Sequence, residues 1–90
     1  MFALQNRYDI FTSMKTTLYF DRRRNDRLYL RDEWLKEAWE KPEYVELQPD
    51  GRKRHYIYIP EHQKYLRVVF EGEMVHNAFL DSAFTRKQRH

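Results

Sequence analysis

Three turn signals constrain the second half of this chain to a run of antiparallel strands. Residues 48–52 (QPDGR) suit a three-residue hairpin loop, because proline presets φ and glycine accepts the left-handed bulge position. Residues 61–64 form a second predicted loop, and residues 71–72 (EG) form a third. Because the length of a hairpin loop fixes which residues oppose each other, the sequence predicts four paired strands within residues 43–80.

The loop lengths also predict the register of the sheet. The first loop places Glu46 opposite Arg54, and the other two place Arg67 between Tyr58 and His76. Directly opposed residues share a face of a sheet, and side chains alternate along each strand. One face is then apolar and forms the predicted core, with Val45, Leu47, Ile57, Ile59, Leu66, Val68, Phe70, Val75 and Phe79. The other is predicted to be open and aromatic, with Tyr44, Glu46, Arg54, Tyr56, Tyr58, Arg67 and His76.

A strand and a helix are predicted ahead of this run. Residues 15–20 are rich in β-forming side chains and predict an opening strand. A helix is predicted near residues 30–41, because Leu35, Ala38 and Trp39 recur at i, i+3 and i+4. The predicted fold class is therefore α+β: a single antiparallel sheet of four to five strands, in the order β-α-β-β-β-β, with one main helix packed on the apolar face.

Length and composition indicate one small domain. We expect residues 1–14 to be an N-terminal extension and residues 15–90 to be the folded domain. The absence of cysteine excludes disulfides, thiolate metal sites and cysteine nucleophiles. Since no apolar run approaches the length of a signal peptide or a membrane span, we expect a cytoplasmic protein that does not contact a membrane.

Basic residues are clustered although the net charge is only +3. Groups lie at residues 22–27, 52–54 and 86–89. Such clusters suit a phosphate backbone or an acidic protein partner, and the plain alternative is a set of solvated surface charges. The arginines predicted to contact a substrate are Arg22, Arg23, Arg24 and Arg27.

The predicted open face carries the residue types that cleave RNA through its 2′-hydroxyl group. That reaction needs a base, an acid, cations for the phosphorane and a surface that holds the bases, and it needs no metal or cofactor. The predicted catalytic residues are Glu46 and His76, which act as base and acid, and Arg54 and Arg67, which bind the phosphate. Tyr56 and Tyr58 are predicted to stack on the bases of the RNA. Each residue taken singly also has a structural explanation, such as a cross-strand ion pair worth ~0.2–1 kcal/mol.

Several short segments resemble a known group of proteins. Residues 42–46 (PEYVE), 48–54 (QPDGRKR), 64–69 (KYLRVV) and 75–81 (VHNAFLD) resemble a group of small bacterial proteins that looks like an outlying branch of the RelE-like toxins. The resemblance covers residues 17–84. It implies the fold that unites barnase, some colicin nucleases and RelE. It also implies a domain that cuts RNA, often messenger RNA on the ribosome, and that is often paired with a protein antitoxin.

Two hypotheses follow from the sequence. The first is a metal-independent endoribonuclease of a toxin–antitoxin system, and the alternative is a non-catalytic RelE-like protein that binds nucleic acid or a protein partner. Many related groups carry a histidine in or near the first helix, where this chain has arginines. If that histidine is essential in those groups, catalysis in this chain must rest on His76 or be absent. A homodimer formed through an exposed sheet edge is compatible with both hypotheses.

Overall fold

The computed structural model describes residues 14–88, which form an α+β fold. Within these residues, a four-stranded antiparallel sheet has the order β1-β2-β3-β4 and is flanked by three helices, which confirms the predicted fold class. The bounds are α1 (Leu18–Arg24), α2 (Asp32–Glu40), β1 (Tyr44–Leu47), β2 (Lys53–Ile59), β3 (Lys64–Glu71), β4 (Met74–Asp81) and α3 (Ser82–Gln88). The predicted extension lies outside the described residues except for Met14, which packs against the core. None of the described helices is long and apolar enough to cross a membrane.

The main core lies between α2 and one face of the sheet. The predicted apolar spacing places Leu35 and Ala38 of α2 against the sheet, and both are fully or almost fully buried. The carboxylates of Asp32 and Glu33 open the helix, where they interact favourably with its dipole. The core comprises Phe20, Leu30, Trp34, Leu35, Ala38, Ile57, Ile59, Leu66, Val68, Phe70, Val75 and Ala78.

The predicted strand at residues 15–20 is wrong. Thr16 makes a single parallel bridge to Val75, and the chain then enters α1. The hydroxyl oxygen of Thr17 caps this helix by accepting a hydrogen bond from the backbone N–H of Phe20 at 3.1 Å. Phe20 is fully buried in the core, so tertiary packing together with the cap overrides the local β preference.

The first hairpin has the predicted register. Glu46 opposes Arg54, and Tyr44 opposes Tyr56. Gly51 takes the left-handed conformation in the loop, with φ of 92°. The turn chemistry of residues 48–52 was therefore sufficient to align these two strands.

The register predicted for the second hairpin is wrong by two residues. Arg67 opposes Tyr56 rather than Tyr58. The turn occupies residues 60–63, and Gln63 takes the left-handed position with φ of 54°. Because side chains alternate with a period of two, this shift changes the partners but leaves each residue on its predicted face.

The third hairpin contains a β-bulge that the sequence did not predict. Phe70 opposes Val75, whereas the preceding residue Val69 opposes Asn77. His76 is therefore an extra residue on β4 without a partner on β3.

The bulge reverses the faces of the rest of β4. The third turn occupies residues 72–73 rather than the predicted residues 71–72, which shifts the pairing by two residues, and the bulge adds one more. Arg67 therefore opposes Phe79 rather than the predicted His76. Phe79 consequently leaves the predicted core face, while Ala78 is buried in the core and Leu80 packs against it.

The face predicted to be open is partly covered by α3. The ring of Phe84 in α3 stacks on the ring of Tyr56, with centroids 3.7 Å apart and an interplanar angle of 9°. Tyr56 is only 1% exposed. On the other face, α2 contacts β2 and leaves β1 uncovered, so the predicted core residues Val45 and Leu47 are 52% and 70% exposed.

Candidate functional site

A recess of about 200 Å³ lies between the sheet and α3. Its walls contain three cationic side chains and two carboxylates, so it has a small excess of positive charge. Three of the four predicted catalytic residues meet here, and His76 does not. The lining residues are Glu46, Arg54, Tyr56, Arg67, Asp81, Ala83, Phe84 and Lys87.

Arg67 is held in the recess by a hydrogen-bonded ion pair. Its Nε and Nη2 atoms lie 2.9 and 2.7 Å from Oδ2 of Asp81. The guanidinium carbon also lies 4.9 Å from the ring centroid of Phe79 and 5.9 Å from that of Tyr56. Among the described residues nothing bonds to Nη1 of Arg67, so this nitrogen is available to bind an anion.

Asp81 links the recess to α3. Its Oδ1 atom accepts a hydrogen bond from the backbone N–H of Phe84 at 2.9 Å, which caps the helix. Its backbone carbonyl accepts a bond from the hydroxyl group of Thr85 at 2.7 Å. The Thr85 oxygen in turn accepts the backbone N–H of Tyr65 on β3 at 2.8 Å. This carboxylate is therefore engaged by the fold and is not a free base.

Glu46 is the carboxylate that retains an unbonded oxygen. Nη1 of Arg54 lies 3.4 Å from Oε1 of Glu46, and the hydroxyl group of Tyr56 donates to the same oxygen at 3.3 Å. Arg54 is further fixed by a 2.9 Å bond from Nε to Oε1 of Gln48. Within residues 14–88 nothing bonds to Oε2 of Glu46, and the side chain is 42% exposed. Glu46 can therefore accept a proton from a bound molecule.

Tyr56 positions Glu46 and does not offer a stacking surface. Burial raises the pKa of its hydroxyl group, the charge of Glu46 raises it further, and Arg67 partly offsets both effects. The hydroxyl group thus stays protonated at neutral pH and donates to Glu46. Because Phe84 covers the ring, the base stacking predicted for Tyr56 has no open ring face here. Tyr58 lies outside the recess and packs edge-on against Tyr65.

His76 lies at the edge of the sheet, away from the recess. Its ring stacks on Tyr19 with centroids 4.8 Å apart, and its Nδ1 atom lies 3.2 Å from the hydroxyl oxygen of Thr17. Oε1 of Glu71 is 3.8 Å from the same nitrogen. His76 lies three residues along β4 from Phe79, the partner of Arg67, or about 10 Å of strand. The predicted proton donor is therefore not beside the predicted phosphate site.

Arg27 extends the positive charge of the recess toward the N-terminal part of the domain. Its Nη1 atom donates to Oδ1 of Asn77 at 3.1 Å, and its guanidinium carbon lies 5.8 Å from the ring centroid of Phe79. Arg67 contacts the same ring. The partly exposed Phe79 is thus flanked by two guanidinium groups, and this cationic row crosses the sheet from the recess to the segment after α1.

The other three arginines predicted to contact a substrate lie on α1, farther from the recess. Arg24 forms an ion pair with Asp32 at the start of α2. Arg23 lies over the ring of Tyr19, 5.6 Å from its centroid, and Arg22 is exposed.

Two charged lining residues, Asp81 and Lys87, were not among the predicted site residues. Asp81 precedes a short polar segment with helix-forming residues, which is the signal of an N-cap. Lys87 belongs to the basic cluster at residues 86–89, but only the fold of α3 onto the sheet brings it to the recess.

Within residues 14–88, no group of three or more histidine, aspartate or glutamate side chains is arranged to hold a metal ion. The chain has no significant match among models of protein families, curated proteins or solved structures.

Proposed function

We propose that the recess is the active centre of a metal-independent endoribonuclease of the RelE-like toxin type. The observation that carries this proposal is the meeting of a carboxylate with an unbonded oxygen, two oriented guanidinium groups and an ammonium group in one recess: Glu46, Arg54, Arg67 and Lys87. This set supplies a base, anion-binding groups and a proton donor, which are the requirements for cleavage through the 2′-hydroxyl group.

The proposed reaction is an in-line transesterification. Oε2 of Glu46 accepts the proton of the ribose 2′-hydroxyl group, and the 2′-oxygen attacks the adjacent phosphorus. Arg54 and Arg67 bind the non-bridging oxygens, on which negative charge increases in the transition state. The bond to the 5′-oxygen breaks, and the ammonium group of Lys87 donates a proton to that oxygen. The products are a 2′,3′-cyclic phosphate and a 5′-hydroxyl group.

The contacts of the recess also favour the second candidate function, a non-catalytic binder of nucleic acid. Glu46 is paired with Arg54, and Arg67 with Asp81, as expected for residues that stabilise a fold. The row formed by Arg27, Phe79 and Arg67 suits a phosphate backbone without any chemistry.

Cleavage of a single-stranded RNA of mixed sequence, in the presence of EDTA, tests the proposal. We expect products with 2′,3′-cyclic phosphate ends and no cleavage of the matching DNA. Glu46→Gln removes the base and should slow cleavage by about 10²–10⁴-fold. Arg54→Ala should slow it strongly as well. The matched control is Arg52→Ala, since Arg52 precedes the same strand but pairs with Asp50 and Glu71 outside the recess.

Two further outcomes separate the candidate functions. Binding of RNA without cleavage by the wild-type protein supports the non-catalytic alternative and contradicts the nuclease. For the proposed toxin role, induced expression in a bacterium should stop growth, Glu46→Gln should restore growth, and a protein antitoxin should neutralise the wild-type protein.

A further inference from the structure

One row of opposed residues crosses the whole sheet on the side of the recess. Tyr44 of β1 opposes Tyr56 of β2, and Tyr56 opposes Arg67 of β3. Arg67 in turn opposes Phe79 of β4. Because opposed residues share a face of a sheet, these four side chains project on one side, and we call them the cross-strand row. Adjacent strands lie about 4.8 Å apart, so the row spans about 14 Å from β1 to β4.

The carboxylate of the recess lies next to the β1 end of the cross-strand row. Glu46 opposes Arg54, and this pair is two residues along the strands from the pair of Tyr44 and Tyr56. Residues two apart on a strand project on the same face and lie about 7 Å apart. Tyr44 is therefore the neighbour on this face of the carboxylate that accepts the 2′-proton in the proposed reaction.

Tyr44 is the most exposed aromatic side chain on this face of the described sheet. It is 42% exposed, whereas Tyr56 is 1% and Phe84 is 8% exposed. Its contacts with Phe84 and Tyr65 are edge-to-face, with ring centroids 5.4 and 5.8 Å apart. Within residues 14–88, no ring stacks parallel on Tyr44 and no strand lies beyond β1. Tyr44 therefore offers the aromatic surface that the buried ring of Tyr56 does not.

The other end of the cross-strand row carries positive charge. The guanidinium carbons of Arg67 and Arg27 lie 4.9 and 5.8 Å from the ring centroid of Phe79. Arg27 is held there by a 3.1 Å hydrogen bond from Nη1 to Oδ1 of Asn77. Guanidinium groups bind phosphate oxygens, and an exposed aromatic ring stacks on a nucleobase. The two ends of the row therefore suit different parts of a nucleic acid strand.

We propose that a single RNA strand crosses the sheet along this row in one direction. The nucleobase on the 5′ side of the cleaved bond stacks on Tyr44, and the backbone on the 3′ side binds Arg67 and Arg27. This direction rests on the proposed nuclease activity, because Glu46 fixes it. The 2′-hydroxyl group and the nucleobase are attached to adjacent carbons of one ribose, so the ring beside Glu46 stacks on the nucleobase of the nucleotide that Glu46 deprotonates.

This path also defines the class of substrate. The nucleotide that supplies the 2′-hydroxyl group occupies the β1 end, so the strand continues on its 3′ side toward β4 and the cationic row. A nucleobase that stacks on a side chain is unstacked from its neighbours, which requires a single strand. Because every nucleobase has a π-face, we expect weak preference for sequence at this position.

DNA oligonucleotides that contain one ribonucleotide test the direction, since cleavage can occur only on the 3′ side of that ribonucleotide. Removing its nucleobase should raise KM by about 5–150-fold, the range that stacking on an aromatic side chain supplies. Removing the nucleobase of the next nucleotide on the 3′ side should have a smaller effect. The change should appear in KM rather than in kcat, because the stacking is the same in the ground state and the transition state.

Variants of Tyr44 connect this effect to the side chain. Tyr44→Leu keeps an apolar contact with Phe84 but removes the ring, so the complete and the abasic ribonucleotide should be cleaved with similar KM. Tyr44→Phe keeps the ring and should behave as wild type. The matched control is Tyr29→Leu, since Tyr29 is 37% exposed but contacts His62 outside the recess.

Thymidine tails on the same oligonucleotide locate the rest of the strand. A tail of about four nucleotides on the 3′ side of the ribonucleotide should lower KM more than the same tail on the 5′ side. Arg27→Ala should raise KM more for the substrate with the 3′ tail than for the substrate with the 5′ tail. The opposite order for either comparison overturns the proposed direction.

The remaining outcomes separate this inference from the proposed nuclease. Cleavage that ignores Tyr44→Leu, or that depends mainly on the nucleobase on the 3′ side, overturns the path and leaves the nuclease standing. Binding without cleavage by the wild type overturns the nuclease together with the direction. Stacking on Tyr44 then stands only if Tyr44→Leu weakens binding by about 5-fold or more in fluorescence anisotropy. A protein that neither binds nor cleaves the oligonucleotides overturns both proposals.

Discussion

Arg67 contacts Oδ2 of Asp81 through both Nε and Nη2, at 2.9 and 2.7 Å. The side chains are 24% and 6% exposed, so the pair is largely shielded from water. Asp81 also caps α3, the helix that covers the recess. A single carboxylate therefore orients the predicted phosphate-binding arginine and anchors the helix beside it. Substitutions here should change stability as well as binding.

Arg67→Ala should lower the free energy of unfolding by about 2–4 kcal/mol, because it leaves the carboxylate of Asp81 buried and unpaired. Because Arg67 is not among the predicted core residues, this loss of stability is not expected from the sequence alone. Asp81→Asn keeps the cap but removes the charge. Urea denaturation of both single variants and the double variant should give a coupling energy of about 1–3 kcal/mol. If the changes in the free energy of unfolding of the two single variants simply add in the double variant, the ion pair contributes nothing to stability.

Leu66→Ala should destabilise the protein by about 2–5 kcal/mol, because Leu66 is 0% exposed and its truncation leaves a cavity. Leu28→Ala is the matched control, since Leu28 is 86% exposed; its effect should stay within about 0.5 kcal/mol. Thermal and urea unfolding measure the destabilisation caused by each of the two substitutions. Equal effects of the two substitutions would contradict the described core.

Stability should fall as the pH rises above about 10, because burial raises the pKa of Tyr56 above its usual value of 10.0. The unfolded chain then loses this proton before the folded protein does. The stabilisation by the protonated Tyr56 is fully present below the pKa that this group has in the unfolded chain. It is lost as the pH rises through the higher pKa that the group has in the folded protein. Tyr56→Phe should reduce this fall, which urea denaturation between about pH 8 and about pH 11 can detect. If the free energy of unfolding of Tyr56→Phe falls with pH as steeply as that of the wild type, then Tyr56 does not cause the fall.

Binding of RNA should weaken steeply with salt, because arginine and lysine displace condensed counterions from phosphates. Removing one cation that binds a phosphate should reduce the salt slope by about 0.7 for a single strand. Fluorescence anisotropy with Arg27→Ala should show this reduction, since Arg27 ends the cationic row. Binding that ignores salt would count against an interaction with the RNA backbone.

His76→Ala should leave RNA cleavage within about 3-fold of wild type, because His76 lies outside the recess and stacks on Tyr19. This differs from the expectation from sequence, in which His76 is the proton donor. Lys87→Ala should slow cleavage more than His76→Ala does. The reverse order, measured on the same RNA, would return the acid role to His76.

Local chemistry in the sequence determined the elements whose geometry depends on near neighbours. The loop at residues 48–52 fixed the pairing of Glu46 with Arg54, because proline and glycine restrict that turn. The spacing of Leu35 and Ala38 predicted α2 and its buried face. These features bring Glu46 and Arg54 together, and that half of the candidate site was predictable.

Tertiary structure decided the remainder, because several local preferences were nearly balanced. Residues 15–20 have β-forming side chains, yet the cap at Thr17 and the burial of Phe20 make half of them, residues 18–20, helical. The bulge at His76 has no signal in the alternation of β4. Together with a turn at residues 72–73 instead of 71–72, it moves that histidine away from Arg67. Only the packing of α3 onto the sheet brings Lys87 to the recess and covers Tyr56, since contacts between distant segments depend on the whole fold.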